Sequence, residues 1–154
     1  MAECIFCRIL AGDLPGTFVY RDEHCAAFMD IQPVNAGHLL IVPTDHAAYL
    51  ADLSAPTAGL IMQVAQRTAA ALRASGLRCE GVNLFLADGE AAMQEVFHVH
   101  LHVFPRFAGD GFGLRFGPHY KQRPARDALE LAAAQIRRAL GDMGTVPRGK
   151  DATP

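Results

Sequence analysis

The sequence of 154 residues has no long hydrophobic run and no excess of basic charge. Its longest apolar stretches, such as residues 39–43, are far shorter than the roughly 20 residues that a membrane-spanning helix needs. The net charge is −2, and the lysines and arginines are dispersed along the chain. We therefore expect no membrane partner and no nucleic-acid partner.

Signals for export and for modular organisation are also missing. The N-terminal residues Met1-Ala2-Glu3-Cys4 lack the basic region and apolar stretch of a signal peptide, which predicts a cytoplasmic protein. In the reducing cytoplasm, the four cysteines are expected to be thiols or metal ligands rather than disulfides. No internal repeat divides the chain. We predict one domain over residues 1–141 and a disordered tail over residues 142–154.

Turn residues divide the chain into segments of two kinds. Short apolar segments predict strands over residues 17–20, 25–29, 38–42, 81–86 and 96–104. Helices are predicted over residues 4–11, over a long segment that starts after Ser54 and ends near Ala74, and over residues 124–140. Strands joined by short turns, with one long helix inserted, indicate an α+β fold with an antiparallel sheet.

The most informative segment is His98-Val99-His100-Leu101-His102, in which an imidazole recurs at every second residue. Side chains two residues apart share one face of a strand, so neighbouring imidazoles would be roughly 7 Å apart at the backbone and the outer pair about 13 Å apart. That spacing is wide for one metal ion to bind all three rings. Burying three imidazoles for structure alone would require many hydrogen bonds, so the segment predicts a catalytic site.

Four further motifs precede the histidines along the chain. They are Cys4-Ile5-Phe6-Cys7-Arg8-Ile9, Phe28-Met29-Asp30-Ile31, Gly37-His38-Leu39-Leu40-Ile41-Val42-Pro43 and Gln94-Glu95-Val96-Phe97. With this ordered set, residues 4–106 resemble the histidine triad (HIT) family of nucleotide hydrolases and transferases. The resemblance implies a five-stranded antiparallel sheet with one long helix, plus short N-terminal and C-terminal helices. It also implies a two-fold homodimer in which the sheets join.

The resemblance also implies the roles of the histidines. His100 would be the nucleophile that attacks an α-phosphorus and forms a covalent nucleotidyl-histidine. Attack by one ring nitrogen requires the proton on the other, so an acceptor such as a carbonyl should fix that tautomer. His102 would contact the phosphate or assist the leaving group, His98 completes the triad, and His38 would support it. The implied substrates are purine mononucleotide conjugates such as nucleoside phosphoramidates, cleaved at a phosphorus–nitrogen or phosphoanhydride bond.

Substrate-binding residues are implied in the same way. Asp30 matches a ribose ligand, and Gln94 matches an amide donor to phosphate or leaving-group oxygens. The base would lie in an apolar pocket lined by Phe6, Ile9, Leu14, Phe28 and Ile31. The sequence departs from the common family pattern at three positions, where Met93 replaces glycine, Glu95 replaces serine and Ala87 replaces asparagine.

A metal site is expected beside the histidines. Cys4 and Cys7 form a Cys-x2-Cys pair, which is a common half of a tetrahedral zinc site. Resemblance to bacterial-type relatives implies that His46 and His98 complete the set. Four protein ligands leave no open position on the ion, so the Zn²⁺ is expected to be structural.

Three other functions stay open from the sequence. The first is a dinucleoside polyphosphate hydrolase, in which the glycine-rich residues 106–117 would shape the leaving-group side. The second is a purine-nucleotide-binding regulatory protein with slow turnover. The third is a zinc-dependent hydrolase in which the imidazoles bind a catalytic metal ion.

Overall fold

Five strands and three helices account for the main regular elements of residues 4–141, which the computed structural model describes. They are α1 (Ile5–Ala11), β1 (Phe18–Arg21), β2 (Cys25–Met29), β3 (Leu39–Pro43), α2 (Ala55–Ala74), β4 (Gly81–Leu86), β5 (Leu101–Arg106) and α3 (Arg126–Leu140). The strands form one antiparallel sheet in the order β1-β2-β3-β5-β4, so the predicted α+β fold is confirmed. The predicted tail over residues 142–154 lies outside the described residues.

The central strand β3 connects two hydrophobic clusters on opposite faces of the sheet. All five of its residues are buried, and its side chains alternate between the faces. Leu39 and Ile41 pack in the cluster that contains the buried residues of α2. Leu40 and Val42 pack in the other cluster, with Phe6 of α1. The sheet is therefore covered by α2 on one face and by α1 on the other.

Local sequence signals set the ends of both covering helices. The Ser54 hydroxyl accepts a hydrogen bond from the Thr57 N–H at 3.2 Å, which confirms the predicted N-cap of α2. The helix α1 ends at Gly12, whose φ of 88° is the left-handed conformation that glycine adopts without steric cost. The buried face of α2 consists of Ile61, Val64, Ala65 and Leu72, as its periodicity predicts.

Gly37 allows the loop before β3 to pack closely against the end of α2. Its φ is +101°, and a Cβ atom there would lie 2.9 Å from Leu77 Cδ1 and 3.0 Å from Leu72 Cδ2. Both the conformation and the available space therefore require glycine. The close approach fixes the position of the next residue, His38, at the start of the strand.

The last strand begins later than predicted, and the prediction is wrong for residues 96–100. β5 covers Leu101–Arg106 instead of residues 96–104. The His98 N–H bonds the Val96 carbonyl at 2.9 Å, and the Val99 N–H bonds the Ala47 carbonyl at 2.7 Å. These bonds replace a regular ladder with a bend, so His98 and His100 precede the strand.

The chain divides into two compact units, Met1–Phe112 and Gly113–Pro154. The first unit contains the sheet, α1 and α2, and all the predicted site residues. The second contains α3, in which no residue is buried. The prediction of a single domain over residues 1–141 therefore stays a prediction. Among residues 4–141, no helix is both long enough and apolar enough to cross a membrane.

Candidate active site

His100 is held by a backbone carbonyl in one tautomer. The ring is buried, with 6% of its surface exposed, and its Nδ1 lies 2.7 Å from the His98 carbonyl oxygen. A carbonyl oxygen only accepts, so Nδ1 carries the proton and donates it to this bond. The other nitrogen, Nε2, therefore keeps a free lone pair in the neutral ring. This is the tautomer that an attacking imidazole needs.

A chain of hydrogen bonds starting at the Val34 amide determines the proton positions in two further rings. The Val34 N–H donates to His38 Nδ1 at 3.0 Å, so the proton of His38 is on Nε2. His38 Nε2 lies 2.9 Å from His102 Nδ1 and therefore donates to it. In consequence His102 carries its own proton on Nε2. The rings of His100 and His102 are adjacent, with centroids 5.0 Å apart.

Burial keeps this histidine pair neutral near pH 7. Desolvation, followed by the proximity of His100 and His38, lowers the pKa of His102 to about 4. Burial also lowers the pKa of His38. An Asp30 carboxylate oxygen lies 3.5 Å from His38 Nε2 and 3.7 Å from His102 Nδ1. Because both rings are neutral, these contacts with the carboxylate are not ion pairs.

The structure brings the four predicted metal ligands together. The atom His98 Nδ1 lies 3.4 Å from Cys4 Sγ, 3.6 Å from Cys7 Sγ and 3.3 Å from His46 Nδ1. Cys7 Sγ is 3.4 Å from His46 Nδ1. Tetrahedral zinc with bonds of about 2.0–2.1 Å to nitrogen and about 2.3 Å to sulfur implies nitrogen–nitrogen and nitrogen–sulfur separations of about 3.3–3.6 Å. The spacing of these donors therefore fits a zinc ion.

The chemistry of the donors also fits a cation. His98 Nε2 donates to the Pro43 carbonyl at 3.0 Å, which leaves the lone pair on Nδ1, the atom that faces the cysteines. Burial, followed by the proximity of Cys4, raises the pKa of the Cys7 thiol to about 11. Two adjacent thiolates repel each other, and a divalent cation between them would remove that repulsion.

A second group of potential ligands, Asp30, His38 and His102, does not fit a metal ion. His38 accepts the Val34 N–H at Nδ1, so its Nε2 carries a proton and has no lone pair for a metal. The short contact between the two rings is accordingly a hydrogen bond. The hydrogen bonds therefore give no support to a catalytic metal held by these imidazoles.

Gln94 is placed differently from the expected phosphate donor. Its Nε2 donates to the Ala48 carbonyl at 2.8 Å and to the Val96 carbonyl at 3.2 Å. Its Oε1 accepts from the Gly89 N–H at 2.8 Å, and the residue is 3% exposed. Both amide hydrogens of Gln94 are thus used in bonds that connect the loop at Ala48 with the segment before the triad at Val96. Donation to a phosphate would require one of these bonds to open.

The three departures from the family pattern have different surroundings. Met93, at a position where glycine is common, has a φ of 72° and is 71% exposed. It is the single non-glycine residue with positive φ among residues 4–141, so it adopts the conformation that a glycine would take at lower cost. Ala87 is buried, and Glu95 is exposed.

The residues expected to line a base pocket fall into two groups. Phe6, Ile9 and Phe28 belong to one hydrophobic cluster. Phe6 also contacts the rings of His98 and His100, with centroids 5.8 Å and 5.2 Å away. Leu14 is half-buried, and Ile31 is 93% exposed. The structure therefore makes Phe6 and Phe28 part of the core beneath the histidines, and the pocket itself stays a prediction.

Sequence reasoning missed the backbone groups that organise the site. The Val34 amide and the carbonyls of Pro43 and His98 each bond an imidazole. Side-chain motifs carry no signal for such groups, because every residue except proline has the same backbone donor and acceptor. The sequence analysis predicted one such group without locating it, namely an acceptor for the proton on the ring nitrogen of His100 that does not attack.

A buried histidine cluster at the end of a five-stranded antiparallel sheet defines the histidine triad class of proteins. The HIT domain model matches residues 11–109, and the chain belongs to the HIT family. A HIT family protein from Bacillus anthracis has a similar structure, with a TM-score of 0.82 and 35% identity, over 91% of this chain and 99% of that chain.

Two other similar proteins bear on the chemistry of the site. The structure of a Zn-bound histidine triad family protein from Mycobacterium smegmatis matches with a TM-score of 0.69 and 40% identity, over 89% of this chain and 97% of that chain. The adenosine 5′-monophosphoramidase of Schizosaccharomyces pombe is 34% identical over 79% of this chain and 88% of its own length.

We predict that the stability of the fold decreases in mildly acidic solution because of His102. Burial lowers the pKa of His102 from its ordinary value of 6.5 to about 4 in the folded protein. Between those values the unfolded chain binds the proton and the folded chain does not, so the free energy of unfolding should fall as the pH falls from about 6.5 to about 4. Urea unfolding between about pH 7 and about pH 5 measures this slope.

The variant His102→Asn should show a shallower pH dependence than the wild type. His24→Asn is the matched control, because it makes the same substitution at a side chain that is 52% exposed. If the free energy of unfolding has the same pH dependence in the wild type and in His102→Asn, the lowered pKa of His102 is contradicted.

Proposed function

We propose that this protein is a nucleotide hydrolase or nucleotidyl transferase that cleaves at the α-phosphate of purine mononucleotide conjugates, such as nucleoside phosphoramidates. The observation that carries the proposal is the 2.7 Å bond from His100 Nδ1 to the His98 carbonyl. It leaves the Nε2 lone pair free for attack, beside a second ring whose Nε2 carries a proton. The HIT-family membership and the monophosphoramidase relative support the same chemistry.

The reaction would proceed in two displacements. In the first, His100 Nε2 bonds to the α-phosphorus while the bond from phosphorus to the leaving nitrogen or oxygen breaks. The His102 Nε2–H would hydrogen-bond the departing atom, which takes up a proton from water. In the second, water attacks the phosphorus, the bond to His100 breaks, a proton is released, and the nucleoside monophosphate leaves. The Asp30 carboxylate would accept hydrogen bonds from the ribose hydroxyls.

The first prediction of this proposal concerns the nucleophile. His100→Asn should lower kcat by about a thousandfold or more, because no covalent intermediate can form, while AMP binding is retained. Intact-protein mass spectrometry of the quenched wild-type reaction should detect one added nucleotidyl group, and the variant should show none. His24→Asn, at an exposed imidazole, is the control and should keep full activity.

Substrate comparison separates the remaining alternatives. Faster turnover of adenosine phosphoramidate than of diadenosine polyphosphates is the expected result. The opposite order would identify a dinucleoside polyphosphate hydrolase. Tight AMP binding with no turnover of either compound would leave only a nucleotide-binding regulatory role.

We also infer that Cys4, Cys7, His46 and His98 bind one structural Zn²⁺. Their spacing, the orientation of His98 and the Zn-bound Mycobacterium smegmatis relative support this site. The ion would fix α1 to the segment before β5 and supply no open position for catalysis. Thiolate ligands at Cys4 and Cys7 would need a reducing compartment, so we also propose a cytoplasmic location.

Freshly purified, reduced protein should contain about one zinc per chain. Cys7→Ser should lower that content and lower the Tm by several degrees, because the ion would stabilise the folded state. Cys79→Ser is the control, since Cys79 donates to the Gly81 carbonyl at 3.2 Å and a serine hydroxyl can do the same. Zinc content near zero in the reduced wild type would remove the metal site.

A homodimer formed through the β4 edge completes the proposal. β4 ends the sheet, and its Leu84 is 43% exposed beside the 57% exposed Met62 of α2. Pairing of two such edges would extend the sheet and bury this apolar surface. A purine nucleotide is the expected ligand, and a nucleic-acid partner is not expected.

We predict that the protein sediments at twice its chain mass of 16.6 kDa. Leu84→Glu should shift the protein towards the monomer, because it would bring a carboxylate from each subunit into the proposed β4–β4 interface. Val19→Glu introduces the same charge on the opposite edge strand β1, where Val19 is 54% exposed, and should leave the dimer intact. A monomeric wild type at micromolar concentration would contradict the proposal.

A further inference from the structure

Asp110 is a buried carboxylate that lies outside the histidine cluster. Its side chain is 3% exposed. The Arg106 guanidinium donates from Nε to one carboxylate oxygen at 2.6 Å and from Nη2 to the other at 2.9 Å. These hydrogen bonds hold the pKa of Asp110 well below its usual range. The carboxylate is therefore ionised and fixed at the end of β5.

A further donor reaches Asp110 from the loop over residues 30–38. Asn35 Nδ2 donates to the Asp110 carboxylate at 3.0 Å and to the Pro105 carbonyl at 2.8 Å. Both amide hydrogens of Asn35 are thus used to attach this loop to β5 and to the segment that follows it. The loop begins with Asp30, the expected ribose ligand, and ends with His38.

The attachment point lies next to the groups that fix the histidine tautomers. The His38 N–H donates to the Asn35 carbonyl at 3.0 Å, and the neighbouring Val34 N–H donates to His38 Nδ1 at 3.0 Å. A displacement of residues 34–35 would remove the Val34 donor. His38 could then carry its proton on either nitrogen, and His102 would lose its fixed Nε2–H.

A row of aromatic contacts connects the Arg106–Asp110 pair to His38 from another side. Arg106 Nη2 donates to the Phe112 carbonyl at 2.8 Å, and its guanidinium carbon lies 4.7 Å from the centre of the Phe112 ring. The Phe112 ring contacts Phe104 with centroids 5.2 Å apart, and Phe104 contacts His38 at 4.9 Å. Arg106 and Asp110 are thus connected to His38 by two routes. One runs through the hydrogen bonds of the loop over residues 30–38, and the other through the packed rings of Phe112 and Phe104.

We propose that Asn35 and Asp110 are positioning residues for the reaction at His100. The pair holds the loop so that the Val34 amide fixes His38 and, through it, presents the His102 Nε2–H towards the leaving group. This inference rests on the proposed nucleotidyl transfer. Neither residue contacts the reacting atoms.

Loss of either residue should therefore affect leaving groups unequally. A hydrogen-bond donor at the departing oxygen matters most when that oxygen stabilises negative charge poorly. In Asn35→Ala and in Asp110→Asn, we expect kcat/KM for the phenyl ester of AMP to fall about tenfold or more. For the p-nitrophenyl ester and for AMP binding, we expect changes within about threefold. A general loss of folded protein would lower both esters equally.

The matched control is Glu80→Gln. The Glu80 carboxylate accepts from the Ala108 N–H at 2.9 Å, so this side chain bonds the same segment after β5 and does not bond Asn35 or Asp110. It should leave both esters unchanged. The double variant Asn35→Ala with Asp110→Asn should lose about as much as the larger single loss, because both changes break one connection. If Asp110→Asn does not fold, Asn35→Ala and Asn35→Ser carry the test.

Nitrogen NMR of the imidazoles gives a readout independent of activity. The wild type should show His102 with its proton on Nε2, and Asn35→Ala should show a mixture of tautomers. An unchanged tautomer in Asn35→Ala, or an equal fall for both esters in a variant that circular dichroism shows to be folded, would overturn the proposal. Failure of the wild type to form any nucleotidyl adduct would instead refute the proposed function, and the NMR comparison would still decide whether Asn35 positions the rings.

Discussion

Backbone hydrogen bonds to imidazole rings are the constraint on which the rest of the site depends. The His98 carbonyl fixes His100, the Pro43 carbonyl fixes His98, and the Val34 amide fixes His38. Each bond decides which ring nitrogen carries the proton and which keeps a lone pair. The same side chain can therefore serve three purposes. His100 is the candidate nucleophile, His98 is a candidate metal ligand, and His38 fixes the proton on Nε2 of His102. The same bonds offset the desolvation that burial of these rings imposes.

The segment before β5 and the start of that strand bring two kinds of candidate chemistry together within five residues. His98 Nδ1 lies 3.4 Å from Cys4 Sγ. The rings of His100 and His102 lie beside each other, with centroids 5.0 Å apart. In the proposed mechanism, a structural ion would lie beside the reacting centre without joining it. The proposed nucleophile, His100, is oriented by the backbone carbonyl of His98, the residue that would hold the ion.

Much of the fold could be predicted because its signals are local. The strands over residues 25–29 and 81–86 begin and end where turn residues flank them, and the cap at Ser54 acts on its own helix. The start of β5 could not be predicted, since it depends on a bond to Ala47. Gln94 is a similar case, because the carbonyl that binds its amide belongs to Ala48, 46 residues away along the chain.

The sequence by itself determined the residue types and their order: a cysteine pair, a loop aspartate and three alternating imidazoles, enough to indicate a family and a fold. The tertiary structure alone decided what each imidazole can do. A ring tautomer depends on the group that the ring meets, and for His98 that group is a carbonyl 55 residues earlier in the chain. Backbone donors and acceptors are the same at nearly every position, so only folding shows which of them an imidazole binds.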